Sequence, residues 1–198
     1  MARVQCVDWA DGAWWPLAFV ALGGCISSHP RVSVVPALTL SGTDGRLHDL
    51  ASDVAAAKLT VYVFFSAHCP CLVVHEARIR ALENAYESRG VQFFAVDSEA
   101  TASLDRDRIE ARAHAYLFPI LVDHGAIAAD AMGAEYATYT VVFDQSGRVR
   151  YSGAIDSDRV HLTGDARPFL RDALDELLAG QSPSATHVEA LGCALQKW

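Results

Sequence analysis

The chain has 198 residues, is 52% hydrophobic and carries a formal net charge of −8. That length fits one domain at about 150 residues per domain, large enough to bury a core without cross-links. An acidic balance with no basic block excludes nucleic acid as the main partner, and five cysteines are too few for a disulfide framework at this size.

Ala13 to Leu22 is a short apolar run. It is too short to cross a bilayer as a helix and has the length of a signal-peptide core. Leu22-Gly23-Gly24-Cys25 follows and resembles the bacterial lipobox, whose cysteine is lipidated and becomes the new N-terminus. Residues 1–25 therefore read as a lipoprotein signal peptide, with lipid on Cys25. The protein is then expected in the cell envelope or periplasm, meeting a membrane only through that anchor. The single early cation, Arg3, departs from the usual basic start; the competing reading is a buried N-terminal helix. Loss of Cys6 and lipidation of Cys25 leave three thiols, Cys69, Cys71 and Cys193, for redox work in an oxidising compartment.

Residues 26–35 read as a linker. Ala37–Leu40 and Arg46–Leu50 flank Ser41-Gly-Thr-Asp-Gly45, the pattern of a β-hairpin. Leu59 to Phe65 is an apolar, β-branched and aromatic run, which predicts a strand buried on both faces. A helix is predicted over 70–88, with Leu72, Val73, Ala77, Ile79, Leu82 and Ala85 as its apolar set and Gly90 at its end. Val91–Val96 is the next strand and Thr101–Tyr116 an exposed amphipathic helix. Asp97, Glu99, Asp107 and Glu110 read as a solvated acidic face. Phe118–Val122 is a strand, Ala126–Met132 a short helix, and Tyr139–Phe143 with Arg148–Ser152 a second hairpin. Pro168–Leu178 is the last helix, and residues 181–198 form a tail bearing Cys193. Right-handed crossovers make the early strands parallel, with helices on both faces of a mixed sheet.

Cys69-Pro70-Cys71 lies where strand turns into helix. Proline suits the first helical position, which puts Cys69 at the N-cap. There the unpaired N–H groups favour a thiolate. A cysteine so placed is a nucleophile or a metal ligand.

The chain resembles the bacterial thioredoxin-like redoxins of the alkyl-hydroperoxide-reductase and thiol-specific-antioxidant superfamily. The resemblance rests on Leu40 with Asp44-Gly45, Phe64-Phe65-Ser66-Ala67-His68-Cys69-Pro70, Arg89-Gly90-Val91, and Phe143-Asp144 with Gly147. It covers about residues 36–180, plus a Gly192-Cys193 tail like that of some exported relatives. It implies an α/β thioredoxin-like three-layer sandwich with an N-terminal β-hairpin extension. Two departures matter. Thioredoxins separate their cysteines by two residues, whereas Pro70 alone stands here, and a Cys-X-Cys disulfide closes a strained ring. Thioredoxins also place a cis-proline where this chain has Thr138; without it the peptide stays trans and the sulfurs open to metal. Against the peroxiredoxin pattern, Ser66 meets the hydroxyl requirement, Tyr62 fills a proline slot, and Thr138 stands where the arginine belongs. Arg78 or Arg80 would have to replace it.

The expected activity is exported thiol–disulfide exchange, with Cys69 as nucleophile and Cys71 or Cys193 as resolving thiol. The cysteines are the redox group, so no organic cofactor is implied. Partners are proteins bearing disulfides or thiols, or a peroxide. His68 precedes Cys69 and, as imidazolium, would stabilise its thiolate; otherwise it is a solvent-facing loop residue. His75, four residues after Cys71, would complete a soft set with Cys69 and Cys71 for copper or zinc. Thiol peroxidase and metal carrier are the two alternatives. A module that only binds partners is a further one.

Overall fold

The structure is a computed structural model that describes residues 32–159 and 161–198. The predicted signal segment, Cys6 and Cys25 lie outside the described residues.

Eight strands form one mixed sheet in the order β2-β1-β5-β4-β3-β6-β7-β8. The leading hairpin is β1 (Thr39–Gly42) and β2 (Leu47–Asp49), and β1 also pairs antiparallel with β5 (Ile120–Val122). At the centre, β3 (Leu59–Phe65) runs parallel to β4 (Val91–Asp97) and antiparallel to β6 (Thr140–Asp144). β4 and β5 are parallel, as right-handed crossovers require. Every residue of β3 is buried, so the unbroken apolar run reads correctly as a strand covered on both sides. β7 (Val149–Gly153) completes the second hairpin.

Helices cover both faces of the sheet. α1 (Leu50–Ala56) is capped by Asp49, whose carboxylate accepts the Ser52 N–H at 2.8 Å. It lies over the face of β3 that carries Thr60: Gln92 donates both to Thr60 Oγ1 and to the Asp53 carbonyl. α2 (Pro70–Tyr86) lies over the opposite face, that of Phe65. Phe65 packs edge-on against Tyr116, whose hydroxyl donates to Glu76 of α2 at 2.7 Å. Gly90 ends the following turn at φ 90°, in the left-handed region that glycine takes without a steric penalty. α3 (Leu104–Ala113), α4 (Ile127–Met132) and α5 (Phe169–Leu178) follow where helices are predicted.

The buried stripe of α2 differs from the predicted one. Val73, Ala77 and Ala85 are exposed, while Leu72, His75, Glu76, Ile79, Leu82, Glu83 and Tyr86 face inward. The spacing is still that of an amphipathic helix, but three inward positions are histidine or glutamate. Two of them have partners: His75 meets Asp156, and Glu76 accepts from His114 and Tyr116. A partnered polar group tolerates burial that an unpartnered one would not.

The acidic face is also corrected. Asp97 and Asp107 are wholly buried and Glu99 nearly so, whereas Ile109 of the same region is 58% exposed. Arg106 is the reason: its guanidinium donates to Asp97 and lies 3.5 Å from Asp107.

The tail is part of the sheet. A two-residue strand, β8 (His187–Val188), runs parallel to β7, and Ala194 bridges antiparallel to Tyr136. Among the described residues no helix is long and apolar enough to cross a membrane.

Candidate active site

β3 ends at Phe65 and delivers Ser66 to Cys69 to the start of α2. Cys69 is the N-cap, with extended backbone, and Pro70 occupies the first helical position. The Cys69 carbonyl accepts from Leu72 and Val73 at 3.0 and 3.2 Å, while its own N–H donates to the Ser66 carbonyl at 3.1 Å. Pro70 carries no N–H, so the first turn loses nothing by its presence there. The Cys69 side chain is fully buried and that of Cys71 nearly so.

Cys193 comes from the tail and meets Cys69 sulfur to sulfur, at 2.6 Å. All three are free thiols, and the three sulfurs lie within 4.8 Å of one another. The tail holds this position through its backbone. The Ala137 N–H donates to the Cys193 carbonyl at 2.9 Å, and the Leu195 N–H to the Glu135 carbonyl at 2.9 Å. Further out, Ala100 N–H donates to the Gln196 carbonyl at 2.7 Å, and Lys197 pairs with Asp130 at 2.8 Å.

Burial pushes the Cys193 thiol up to about 12, and the neighbouring Cys69 adds to the rise. Burial also raises Cys71, with Cys69 adding to it and the exposed Arg159 opposing. Arg159 is a residue that sequence reading did not single out. It sits in the loop after Asp156, and no local pattern announces its electrostatic influence on Cys71.

The other expected residues separate into those near the sulfurs and those committed elsewhere. Thr138 is buried, its peptide is trans, and its φ is +75°. Its N–H donates to the Phe64 carbonyl at 2.9 Å, which ties this loop to the end of β3. The expectation that a trans Thr138 leaves the sulfurs open is corrected, because Gly192 and Cys193 cover that loop. Ser66 is buried, and its hydroxyl accepts the His68 N–H at 3.4 Å. The His68 ring is exposed, and among the described residues its ring nitrogens make no hydrogen bond to a cysteine.

His75 is buried with both ring nitrogens engaged. Nδ1 donates to the Cys71 carbonyl at 2.6 Å and Nε2 to Asp156 at 3.1 Å. Both partners are acceptors, an arrangement that favours the protonated ring. Burial opposes that charge, but the Asp156 carboxylate and the Cys71 carbonyl outweigh it and raise the His75 pKa. His75 is therefore corrected from a metal ligand to a buried ring held by Cys71 and Asp156 under the first turn of α2, apart from the sulfur trio. Asp156 also takes Arg78 at 2.7 Å, and Arg78 reaches Asp158 at 2.9 Å. Arg80 donates to the His114 carbonyl. Neither arginine is free for a peroxide. A small cavity beside the site is lined by His75, Thr138, Asp156, Phe169 and Leu191.

Comparison with known proteins agrees with this architecture. The Redoxin family model matches residues 30–164. A hypothetical protein from Sinorhizobium meliloti 1021 is similar at 26% identity and a TM-score of 0.76, over 85% of this chain and 95% of that one. An uncharacterized conserved protein from Geobacillus kaustophilus is similar at 28% identity and 0.76, over 87% and 94%. A secreted disulfide oxidoreductase from Mycobacterium tuberculosis shares the fold at 16% identity and 0.53, over 73% and 96%. No curated protein matches the chain in sequence. The fold is thioredoxin-like, and the family and fold together support a redox function. By the extent of the family match, the chain is a member of the Redoxin family.

Proposed function

We propose that the protein is a thiol–disulfide oxidoreductase in which Cys69 is the nucleophile and Cys193 the resolving thiol. The observation that carries this reading is the 2.6 Å approach of the two sulfurs, made by a tail whose backbone is bonded on both sides of Cys193. Cys69 thiolate attacks one sulfur of a substrate disulfide, forming a mixed disulfide and releasing the other sulfur as thiolate. Cys193 sulfur then attacks Cys69 Sγ. The intramolecular disulfide forms, the second substrate thiolate leaves, and the cysteine protons pass to the two product thiols. Two electrons move from the cysteine pair to the substrate.

The less supported reading is thiol peroxidase. Ser66 is in place for it, but Arg78 and Arg80 are held elsewhere. Export and lipid attachment at Cys25 rest on the sequence of residues 13–25. The described sharing of fold with a secreted oxidoreductase is consistent with export.

The test is disulfide reduction in insulin, with mass-spectrometric mapping of the oxidised chain. Cys69→Ser is expected to abolish reduction, and Cys193→Ser to stall at a mixed disulfide on Cys69. Cys71→Ser is expected to yield the Cys69–Cys193 bond still. A bond mapped only between Cys69 and Cys71 would overturn the assignment of Cys193, and activity in Cys69→Ser would overturn the mechanism.

A further inference from the structure

Three sulfurs from two elements converge on one point. Cys69 and Cys71 come from the start of α2 and Cys193 from the tail, with all three sulfurs within 4.8 Å of one another. Around a single ion bonded at about 2.3 Å, three sulfurs in a trigonal plane stand about 4 Å apart. The trio lies within about 0.8 Å of that span, and the Cys69–Cys193 pair, at 2.6 Å, is too close and must open. The Cys193 side chain can turn about its own bonds to make that room while its carbonyl keeps the Ala137 N–H, whereas Cys69 and Cys71 stand at the start of a helix.

The donor set is chemically narrow. His75 is ruled out as a ligand, since both of its nitrogens are hydrogen-bonded. Among the described residues no histidine or carboxylate joins the three cysteines. Thiolates suit both zinc and monovalent copper, but a closed zinc site takes four ligands, and three thiolates complete a trigonal copper(I) site. We propose that the reduced protein binds one copper(I) ion through Cys69, Cys71 and Cys193.

Binding is ligand exchange: each thiol that coordinates releases its proton to solvent, and no electron is transferred. The site does not depend on the oxidoreductase reading. It requires only that the three thiols be reduced together.

The experiment is an anaerobic titration of the reduced full chain with copper(I), in competition with the chromophoric chelator bicinchoninate, followed by copper X-ray absorption. One equivalent held by three sulfur scatterers is expected. Loss of a direct ligand in Cys71→Ser or Cys193→Ser should weaken binding by more than the roughly 10–100-fold of an outer-shell change, and leave two sulfurs. Circular dichroism of each variant establishes that it folds, and the two variants lie on different elements. Wild-type affinity in both variants, a two-sulfur site in the wild type, or no retention of copper against the chelator would each overturn the proposal. Disulfide mapping of the metal-free chain reads the oxidoreductase separately, so the two failures are distinguishable.

Discussion

Gly192 lies against the carbonyl of Ala137 so closely that a Cβ at position 192 would stand 2.1 Å from that oxygen. The neighbouring Thr138 Oγ1 would be 3.2 Å away. The obstructing atom is backbone, so it cannot rotate aside. Only a residue without a side chain allows the tail to reach Ala137 and bring Cys193 to Cys69. Gly192→Ala is expected to push the tail off this loop, at a cost of about 1–3 kcal/mol, as overpacking does. It should also slow closure of the Cys69–Cys193 bond, measured by thiol trapping after an oxidant pulse. Closure at the wild-type rate would show that the close approach is not needed.

Cys193 sets the pH dependence of the second step. Its thiol is pushed up to about 12, so at neutral pH it is almost wholly protonated. The rate of resolution should therefore climb with pH, by about tenfold per unit, well beyond pH 8. Stopped-flow decay of a preformed mixed disulfide on Cys69 measures this. A plateau near pH 8 would mean that another group takes the Cys193 proton or that Cys71 resolves.

Asp156 joins the site to the helix above it. It accepts from His75 and Arg78 and from the Asp158 N–H at 2.8 Å. Asp156→Ala leaves the buried His75 ring and the Arg78 guanidinium without their shared carboxylate, and a loss of about 3–5 kcal/mol is expected. The pH dependence has two edges. Burial opposes the charge of Asp156, but His75, the Asp158 N–H and Arg78 hold its pKa below the usual value. That stability is present above 3.8 and is lost as pH falls through the lowered folded pKa. His75 has a raised pKa, so its share is full below 6.5 and lost as pH rises through the raised folded value. Urea unfolding across pH should show both edges in the wild type and neither in Asp156→Ala.

Asp107 acts in the opposite sense. Burial, with Asp97 beside it, raises its pKa to about 7. The unfolded carboxyl ionises near 3.8 while the folded one stays protonated, so stability falls as pH climbs from 3.8 to about 7. Asp107→Asn keeps the shape and removes the titration. It is expected to raise the melting temperature at pH 8 more than at pH 4. An equal change at both would place the ionisation elsewhere in the cluster.

What the sequence made legible is what is local. The run Leu59–Phe65 and the proline after Cys69 announce strand, turn and helix within a dozen residues. The hairpins are legible for the same reason. What it hid depends on distant partners. His75 reads as a candidate ligand until Asp156, 81 residues on, takes its second nitrogen. Asp97 and Asp107 read as solvated because charged residues usually are, and only the folded chain shows Arg106 between them. β8 is two residues long, too short for any alternating pattern, so its pairing with β7 left no trace in the sequence.

The sequence separation of 124 between Cys69 and Cys193 carries a last consequence. Cross-linking a loop of about 100 residues removes chain entropy worth about 4.7 kcal/mol from the unfolded ensemble in the simplest treatment. Closing the proposed bond would fasten the end of the chain to the first turn of α2, enclosing β4 through β8. By thermodynamic linkage, whatever the bond lends to the fold, the fold lends to the bond. An electron donor that reopens it must work against the folding energy of most of the domain, and the melting temperature becomes a gauge of the redox state.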